Sequence, residues 1–485
     1  MDILPLILIV VISVAVILLW FRGKQQRSQG VEGEGSNLPA AILLASWLVA
    51  SAVMGPYFFI LRFGGIFDIT IERLLFIMVL AVLGAGLFTG KVNLRSGITI
   101  EMTMMAFVLI CVVSMIRNGF IRTSPFFPSP WFVFITGYLF PFIVYVYAKN
   151  YIRNEYQVQL ILHTLFFFGL YLCLIAPFEY FDLRKFVFPK FINDPEISSL
   201  HLERARGPLL NAAFNGVGIL IGFISGLHLL DKKTGFTRVF YQASLLLFFP
   251  AVFFTLTRSV YLGLLITLLI FLGWYKTSFS KWKLISLPLA LLLIVGVVNS
   301  PRLLSTDRRE GGVYQVDEVN IRFALLEKSY FLFSERPLMG IGLAQFIPAS
   351  TRSYKGRTTF IAEEAGTQFQ HNHLLGIATE LGLEGFIVYL VLIFLILRRM
   401  AQLTGKLPES GIMGRNLRIA IFAIWCVYLN NNMFVEPSNS LFINAVPFLF
   451  AGLADGLYSH FIESELKIQI TNKESARTCL KTSIT

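Results

Sequence analysis

Long apolar runs alternate with short polar segments along almost the whole chain, and this pattern predicts membrane-spanning helices. A helix needs about 20 apolar residues to cross a hydrocarbon core of about 30 Å, and it satisfies its own backbone hydrogen bonds within one segment. We therefore predict an all-α integral membrane protein of about thirteen transmembrane helices. The apolar runs lie near residues 3–20, 40–61, 69–88, 98–116, 131–148, 158–177, 209–230, 239–257, 259–275, 284–299, 372–397, 416–433 and 441–458.

Lysine and arginine cluster in alternate short loops, which predicts the orientation of the chain because short basic loops stay in the cytoplasm. The N-terminus carries Asp2 and no basic residue before the first run, so we place it outside and the C-terminus in the cytoplasm. The first run is a poor signal peptide, since its basic residues follow it, and we expect it to be retained. The predicted cytoplasmic loops contain Arg22, Lys24, Arg27, Lys91, Arg95, Lys149, Arg153, Lys232, Lys233, Arg238, Lys276, Lys281, Lys283, Arg398, Arg399, Lys406, Arg415 and Arg418.

Two segments on the predicted outer side are much longer than the other loops, at about 178–208 and 300–371. Loops of this size are usually functional or disordered. Between Asp317 and Glu335 an apolar residue recurs every three or four positions, which predicts an amphipathic helix that packs on the membrane surface or on other helices. Arg322 flanks this stripe, which consists of Val319, Phe323, Leu326, Tyr330 and Phe333.

Composition agrees with a membrane protein and gives no sign of nucleic-acid binding. Of 485 residues, 55% are hydrophobic and 14% charged, and the mean hydropathy is +0.69. Cytoplasmic loops beside anionic lipid account for much of the net charge of +12. The four cysteines imply neither a disulfide framework nor a zinc site. The chain divides into an extra N-terminal span with a linker at 1–37, a transmembrane domain at 38–460 and a flexible cytoplasmic tail at 461–485.

A histidine at the outer mouth of a predicted span is the clearest candidate for chemistry. Imidazole titrates near neutral pH and can take a proton from a hydroxyl, so His371 is a candidate general base. The alternative is that His371 and Asn372 cap the helix. A metal site formed by His371 and His373 is a weaker interpretation, because the two positions diverge by about 200° on a helix. No acidic or cysteine cluster with ligand spacing accompanies them.

Several arginines lie on the predicted outer side, against the usual bias of positive charge. Arg204 and Arg206 precede one apolar run, Arg258 stands between two runs, and Arg322 is in the amphipathic segment. A lone charge near lipid is costly unless it is paired or hydrated, and such residues often mark a substrate path. The guanidinium group can bind two phosphate oxygens at once, so these arginines are candidates for binding a diphosphate. Anchoring at lipid headgroups is the alternative.

These residues form a pattern that resembles a known family. His371-Asn372, then nine residues to Gly382 and two more to Gly385, matches the histidine-glycine signature of bacterial O-antigen ligases and the related O-antigen and exopolysaccharide polymerases. The segment from Arg336 to Gly342 resembles the Pro-Leu-x-Gly-x-Gly segment that precedes this signature. Two further stretches resemble the family, Arg204-Ala205-Arg206-Gly207 with Asn211 and Asn215 after it, and Thr257-Arg258-Ser259. Asn211-Ala212-Ala213 departs from the Asn-Pro-Asn of many relatives.

The resemblance implies a twelve-helix core plus the extra N-terminal span, with a large outer loop. It implies a glycosyltransferase of the bacterial inner membrane, which moves a glycan from undecaprenyl diphosphate to an acceptor hydroxyl on the periplasmic face in lipopolysaccharide or surface polysaccharide biosynthesis. The acceptor would be lipid A core or a glycan, and no metal or other cofactor is expected. In this interpretation His371 activates the acceptor hydroxyl, and Arg258, Arg204 and Arg206 hold the diphosphate. Arg322 and Asn372 are further candidate substrate-binding residues.

Two alternatives remain open. A polymerase shares the donor and the site, and differs in using another lipid-linked glycan as acceptor. A transporter of lipid-linked glycans would alternate access around a site in the middle of the membrane, and such proteins usually show internal repeats and ionisable residues at that depth. Here no repeat is visible and the ionisable residues gather at the predicted outer rim, which disfavours transport.

Overall fold

The computed structural model describes residues 37–63, 67–90, 92, 99–118, 128–198, 201–277, 316–353 and 365–482. The predicted spans at 3–20 and 284–299 lie outside these residues. So do positions 300–315 and 354–364 of the second long segment.

The described part of the chain is almost entirely helical, and its helices follow the apolar runs. A short antiparallel hairpin of β1 (Leu61–Phe63) and β2 (Phe67–Ile69) joins the first two helices. Polar side chains begin several helices, as at Asn154 and Asn211, whose oxygens accept backbone N–H groups of the first turn. The helices are α1 (Leu38–Val53), α2 (Ile71–Phe88), α3 (Thr99–Arg117), α4 (Pro130–Tyr151, with a π-helical turn at Ile135–Leu139), α5 (Glu155–Tyr180), α6 (Ala212–Leu230), α7 (Gly235–Phe254), α8 (Arg258–Trp274), α9 (Val316–Glu335), α10 (Phe346–Ser353), α11 (His373–Gln402), α12 (Arg415–Asn432) and α13 (Leu441–Thr482).

Among the described helices, eight are long and apolar enough to cross a membrane: α2 to α7, α11 and the first 22 residues of α13. Helices α1 and α8 are apolar but shorter. This confirms the predicted all-helical, multi-pass membrane class, whereas the number of thirteen spans stays a prediction. Helix α12 coincides with the predicted span at 416–433, but Arg415, Arg418 and three consecutive asparagines at its end make it more polar.

The C-terminal segment is helical as far as it is described, since helix α13 continues to Thr482. The three glutamates and three lysines between 461 and 482 are good helix formers. The predicted flexibility and cytoplasmic location of the residues after 460 stay predictions.

Helix α9 confirms the predicted helix in the second long segment, but the predicted apolar stripe is not the side that packs on the protein. Phe323, Leu326 and Tyr330 of the apolar stripe are exposed, whereas the buried side of α9 carries Ile321, Leu325 and Leu332. The buried side also carries Lys328 and Ser329. These two polar residues interrupt the buried apolar pattern, and this explains why the sequence indicated the other side.

Polar contacts between helices define two ends of the bundle. At one end, the Asn430 amide of α12 donates to the Ser259 carbonyl at the start of α8, at 2.7 Å. At the other end, His228 of α6 lies 2.8 Å from the Ile412 carbonyl and 2.9 Å from the Tyr275 hydroxyl. We call these the His371 end and the His228 end. Helices α8 and α11 both begin at the His371 end.

Candidate active site

The two glycine-rich motifs meet at a kink in α11. Gly382 has φ 69° and ψ −167°, which breaks the helix in the middle of the histidine-glycine signature. The Pro-Leu-x-Gly-x-Gly segment lies against this break and pairs with the backbone groups that it frees. The bonds run from the Ile341 N–H to the Thr379 carbonyl (3.1 Å), from Gly342 to Glu380 (2.9 Å), from Leu383 to Pro337 (2.8 Å) and from Glu384 to Leu338 (3.3 Å).

Glycine is required on both sides of this pairing. Gly340 has φ +66°, and a Cβ there would lie 2.3 Å from the Glu380 carbonyl oxygen. A Cβ at Gly382 would lie 2.1 Å from the Leu338 carbonyl oxygen. Arg117, at the end of α3, donates to the Gly340 carbonyl at 2.6 Å. The two motifs therefore form one rigid backbone unit at the start of α11.

Asn372 caps α11, and His371 does not. The Asn372 side-chain oxygen accepts the Leu375 N–H at 2.9 Å. His371 precedes the cap in a left-handed conformation with φ 52°. The capping alternative from the sequence therefore holds for Asn372 alone, and the imidazole of His371 remains a candidate for chemistry.

The His371 imidazole is neutral and has a defined tautomer. Its Nε2 donates to the Gln368 side-chain oxygen at 3.0 Å, and because that oxygen only accepts, the lone pair lies on Nδ1. Burial and the positive charge of Arg322, partly opposed by Glu436, together lower the pKa of His371 to about 4. At neutral pH the residue can therefore accept a proton at Nδ1.

His373 belongs to a different environment. It is buried, its Nδ1 donates to the Glu436 carboxylate at 2.7 Å, and its ring stacks against Tyr138 with 6.0 Å between ring centres. The sequence did not indicate Glu436, which lies 63 residues further along. Among the described residues, no group of three or more histidine, cysteine or acidic side chains is arranged to hold a metal ion.

The structure adds His201 to the candidate site. Its Nδ1 accepts the Ala212 N–H at the start of α6, at 3.0 Å, so Nε2 carries the ring proton. Burial, together with the charges of Arg204, Arg206 and His371, lowers the pKa of His201 to about 3. The electrostatic effect of His371 shows that the two imidazoles belong to one cluster. Sequence reasoning missed His201, although histidines are scarce in this chain, with six in 485 residues.

Arg206 and Arg204 have different surroundings. Arg206 is 1% exposed, and its guanidinium donates to the Ile192 carbonyl and, at 2.8 Å, to the Ser198 carbonyl. It therefore ties together the segment before α6. Arg204 is 6% exposed and lies 3.4 Å from Glu203, while its buried Nη2 has no hydrogen-bond partner among the described residues. A buried guanidinium N–H without a partner is costly, and an anion would satisfy it.

Arg258 and Arg322 are both exposed and influence each other. Arg258 is the first residue of α8, and Arg322 lies on α9. Burial of part of the Arg322 side chain lowers its pKa, and the charge of Arg258 adds to that effect. Because Arg322 also influences His371, these three residues lie in one electrostatic neighbourhood. A concentration of positive charge around a neutral imidazole suits an anionic ligand.

The structure thus brings together His371, Arg322 and Arg258. His201 lies close to both His371 and Arg204, so Arg204 belongs to the same neighbourhood. Arg204 is also influenced by Tyr261, which lies one turn after Arg258 on α8. Asn372, which caps α11, also lies at the His371 end. Arg206 lies close by, but its guanidinium is bonded to backbone carbonyls. The arrangement can bind an anion and can accept a proton beside it.

A second group of charges lies at the His228 end, where Lys149 and Asp455 are buried and Glu101 and Arg399 are partly buried. Lys149 of α4 pairs with Glu101 of α3 and, at 2.7 Å, with Asp455 of α13. Arg399 of α11 lies 2.6 Å from Asp455, and the Tyr145 hydroxyl donates to the same carboxylate at 2.7 Å. The sequence-based statement that ionisable residues gather at the outer rim is therefore wrong.

Fold and site together define a multi-pass, all-helical membrane protein with a cationic, histidine-containing cluster at one end. Residues 243–390 match the family described as O-antigen ligase. This match confirms the predicted family, and it supports a role in membrane glycan transfer for surface polysaccharide biosynthesis. It includes Arg258, Arg322, His371 and Asn372, whereas Arg204, Arg206, His201 and Glu436 lie outside it. No curated protein shows a significant match to the chain.

Proposed function

We propose that this protein is a glycosyltransferase that moves a glycan from undecaprenyl diphosphate to an acceptor hydroxyl, with its site on the periplasmic face of the inner membrane. The observation that carries the proposal is the neutral His371 imidazole close to Arg322, which in turn lies close to Arg258. The family match supports the reaction class. The basic loops of the sequence support the orientation.

In the proposed reaction the acceptor oxygen attacks the anomeric carbon, and the bond from that carbon to the diphosphate oxygen breaks. The hydroxyl proton passes to His371 Nδ1, and the bonding electron pair leaves with the diphosphate. Preorganised positive groups stabilise the charge that develops on this leaving group. Arg258, Arg322 and Arg204 are the groups that we assign to it, and Arg206 positions the segment that carries Arg204.

A base with a pKa of about 4 is weak, and donor binding would strengthen it. Arg322 lowers the pKa of His371 in the free protein. A bound diphosphate would neutralise this positive charge and favour the protonated imidazole, which raises the pKa of His371. The site would therefore gain its base when the donor arrives, and His371 would stay neutral without it.

The test is transfer by purified protein in vesicles that contain undecaprenyl-diphosphate-linked glycan. Transfer to lipid A core in the presence of both lipids identifies a ligase. Chain lengthening on the donor alone identifies a polymerase, which shares the site. Movement of the donor glycan across the bilayer without any new glycosidic bond would contradict the proposal and favour a transporter.

The arginine assignment has its own test. Arg258→Lys should lose almost as much activity as Arg258→Ala, because a point charge cannot reproduce the bidentate contact of a guanidinium with phosphate. Arg238→Lys, in a predicted cytoplasmic loop, is the matched control. Nearly full activity of Arg258→Lys would reduce Arg258 to an interfacial anchor.

A further inference from the structure

The stripe of α9, formed by Phe323, Leu326 and Tyr330, is not covered by any other part of the chain that the structure describes. These side chains are 67%, 53% and 73% exposed, respectively. Their spacing of three and four residues places them on one side of the helix. Three large apolar side chains in a row are unusual on a surface that faces water alone.

The other side of α9 is already occupied. Ile321, Leu325 and Leu332 pack in a small core with Phe346 and Ile347. Lys328 closes this core, since its Nζ lies 3.9 Å from the centre of the Phe346 ring and donates to the Ala365 carbonyl at 3.2 Å. The stripe therefore cannot turn inward without breaking this core.

The kink in α11 shows where α9 lies relative to the bilayer. From Leu383 to Gln402, α11 is about 30 Å long at about 1.5 Å per residue, which equals the thickness of a hydrocarbon core. The part of α11 before Gly382 then projects beyond the hydrocarbon. Helix α3 ends at Arg117, whose side chain reaches the same level through its bond to Gly340. The kink therefore marks the membrane boundary.

An apolar surface crosses this boundary towards the stripe. Ile116 of α3 is 60% exposed on the membrane-facing side of the bundle, and Leu338 and Met339 are exposed beside the kink. These two residues lie three and four positions after the end of α9 at Glu335, and exposed Arg336 precedes them. The chain thus runs from the helix that carries the stripe into exposed apolar side chains at the kink, which marks the membrane boundary.

We propose that the stripe of α9 inserts into the bilayer leaflet at the His371 end, with lipid acyl chains as its occupant. An amphipathic helix of this kind lies in the plane of the interface with its apolar side in the acyl region. Insertion fixes Arg322, the neighbour of Phe323, at the membrane boundary. The inference rests on the membrane class and does not require the transfer reaction.

The experiment places a single environment-sensitive nitrobenzoxadiazole label on α9. Cys426 and Cys479 are first replaced by serine, and Cys111 and Cys173 are buried. Leu326→Cys and Tyr330→Cys report on the stripe. Glu335→Cys is the matched control, because it is exposed on the same helix and, at about 100° per residue, lies roughly 150° around the helix from the centre of the stripe. The full-length protein is reconstituted in phosphatidylethanolamine–phosphatidylglycerol vesicles with spin-labelled acyl chains and no polyprenyl lipid.

We expect blue-shifted emission and strong quenching at positions 326 and 330, and little of either at 335. Equal, weak quenching at all three positions would overturn the proposal. Quenching at 326 and 330 that requires added undecaprenyl diphosphate would also overturn it, and would assign the stripe to the polyprenyl chain of a donor. Because the measurement needs no activity, its failure is distinct from failure of the proposed reaction.

Discussion

Two histidines of the candidate site, His201 and His371, adopt a left-handed backbone conformation. Their φ angles are 60° and 52°. Non-glycine residues rarely adopt this conformation, although histidine does so more often than most. Such strain persists where the surrounding contacts impose it, and it clusters at functional sites. Here the Asn372 cap, directly after His371, helps to fix that residue. The Ala212 N–H donates to Nδ1 of His201 and holds the other imidazole in place.

Removal of the His371 imidazole should slow transfer without unfolding the protein. We expect His371→Ala to reduce the rate by about 10²- to 10⁴-fold, the usual contribution of a general base. His371→Asn should not restore it, because Asn372 already caps α11. His460→Ala, at an exposed position of α13, is the matched control. Rates and donor binding are measured on the same preparations, and full transfer by His371→Asn would contradict the role as a base.

His373→Ala is not a neutral control for this series. From the sequence alone a mild effect would be expected, because positions 371 and 373 diverge on a helix. In the structure His373 is the partner of buried Glu436, so its removal leaves a buried carboxylate without its main partner. Such a loss destabilises a protein by several kcal/mol.

The pH dependence should reveal the contact between Arg322 and His371. The Arg322 charge disfavours protonated His371 and holds its pKa down, so Arg322→Gln should raise that pKa. A larger fraction of His371 is then protonated at a given acidic pH, and the acidic limb of kcat/KM, which reports the free enzyme, should move to higher pH. Arg336→Gln, an exposed charge just after α9, should leave the limb in place. An unmoved limb in Arg322→Gln would show that the two residues do not interact.

At the scale of elements, the sequence predicted the helices well and their packing poorly. The bounds of α3 and α8 follow the apolar runs closely, because lipid requires a full apolar helix whatever its neighbours are. The kink at Gly382 depends on pairing with a segment about 40 residues earlier, so local pattern could not reveal it. The same holds for the buried side of α9, which Phe346 and Ile347 determine. The family resemblance supplied His371 and Arg258, but its motifs did not include His201 or Glu436.

The glycine pairing at the kink makes a prediction for Gly340. Gly340→Ala should be destabilising by more than the roughly 1–2 kcal/mol that a left-handed alanine costs, because its Cβ also meets the Glu380 carbonyl. Gly405→Ala is the matched control, since Gly405 has φ +75° and open space around it. Thermal unfolding and transfer rates are measured for both. Equal effects of the two substitutions would show that the pairing contributes nothing beyond the local backbone.

At the scale of the whole molecule, polar groups lie at both ends of an apolar bundle. The cluster at the His371 end is cationic and partly exposed, so it can bind a ligand. The cluster at the His228 end combines two basic and two acidic residues, Lys149, Arg399, Glu101 and Asp455, and is therefore balanced in charge. It joins α3, α4, α11 and α13. This balance indicates an interhelical clamp, and it gives no support to the transport alternative, which needs a site in the middle of the membrane.

Asp455 is the centre of this clamp, since it contacts Lys149, Arg399 and Tyr145. Asp455→Asn keeps the size of the side chain but removes its negative charge. Lys149 and Arg399 then have Glu101 as the one remaining carboxylate of the clamp. Breaking a buried ion pair in this way costs about 3–5 kcal/mol, so the unfolding temperature in detergent should fall clearly. Glu409→Gln removes a carboxylate from the exposed pair with Lys276, where the separation is 3.6 Å, and should cost about 0–1 kcal/mol. Transfer by folded Asp455→Asn, measured well below its unfolding temperature, should stay near the unsubstituted rate because the clamp lies at the opposite end from His371. If the unfolding temperature is unchanged while transfer is lost, the His228 end takes part in function and is more than a clamp.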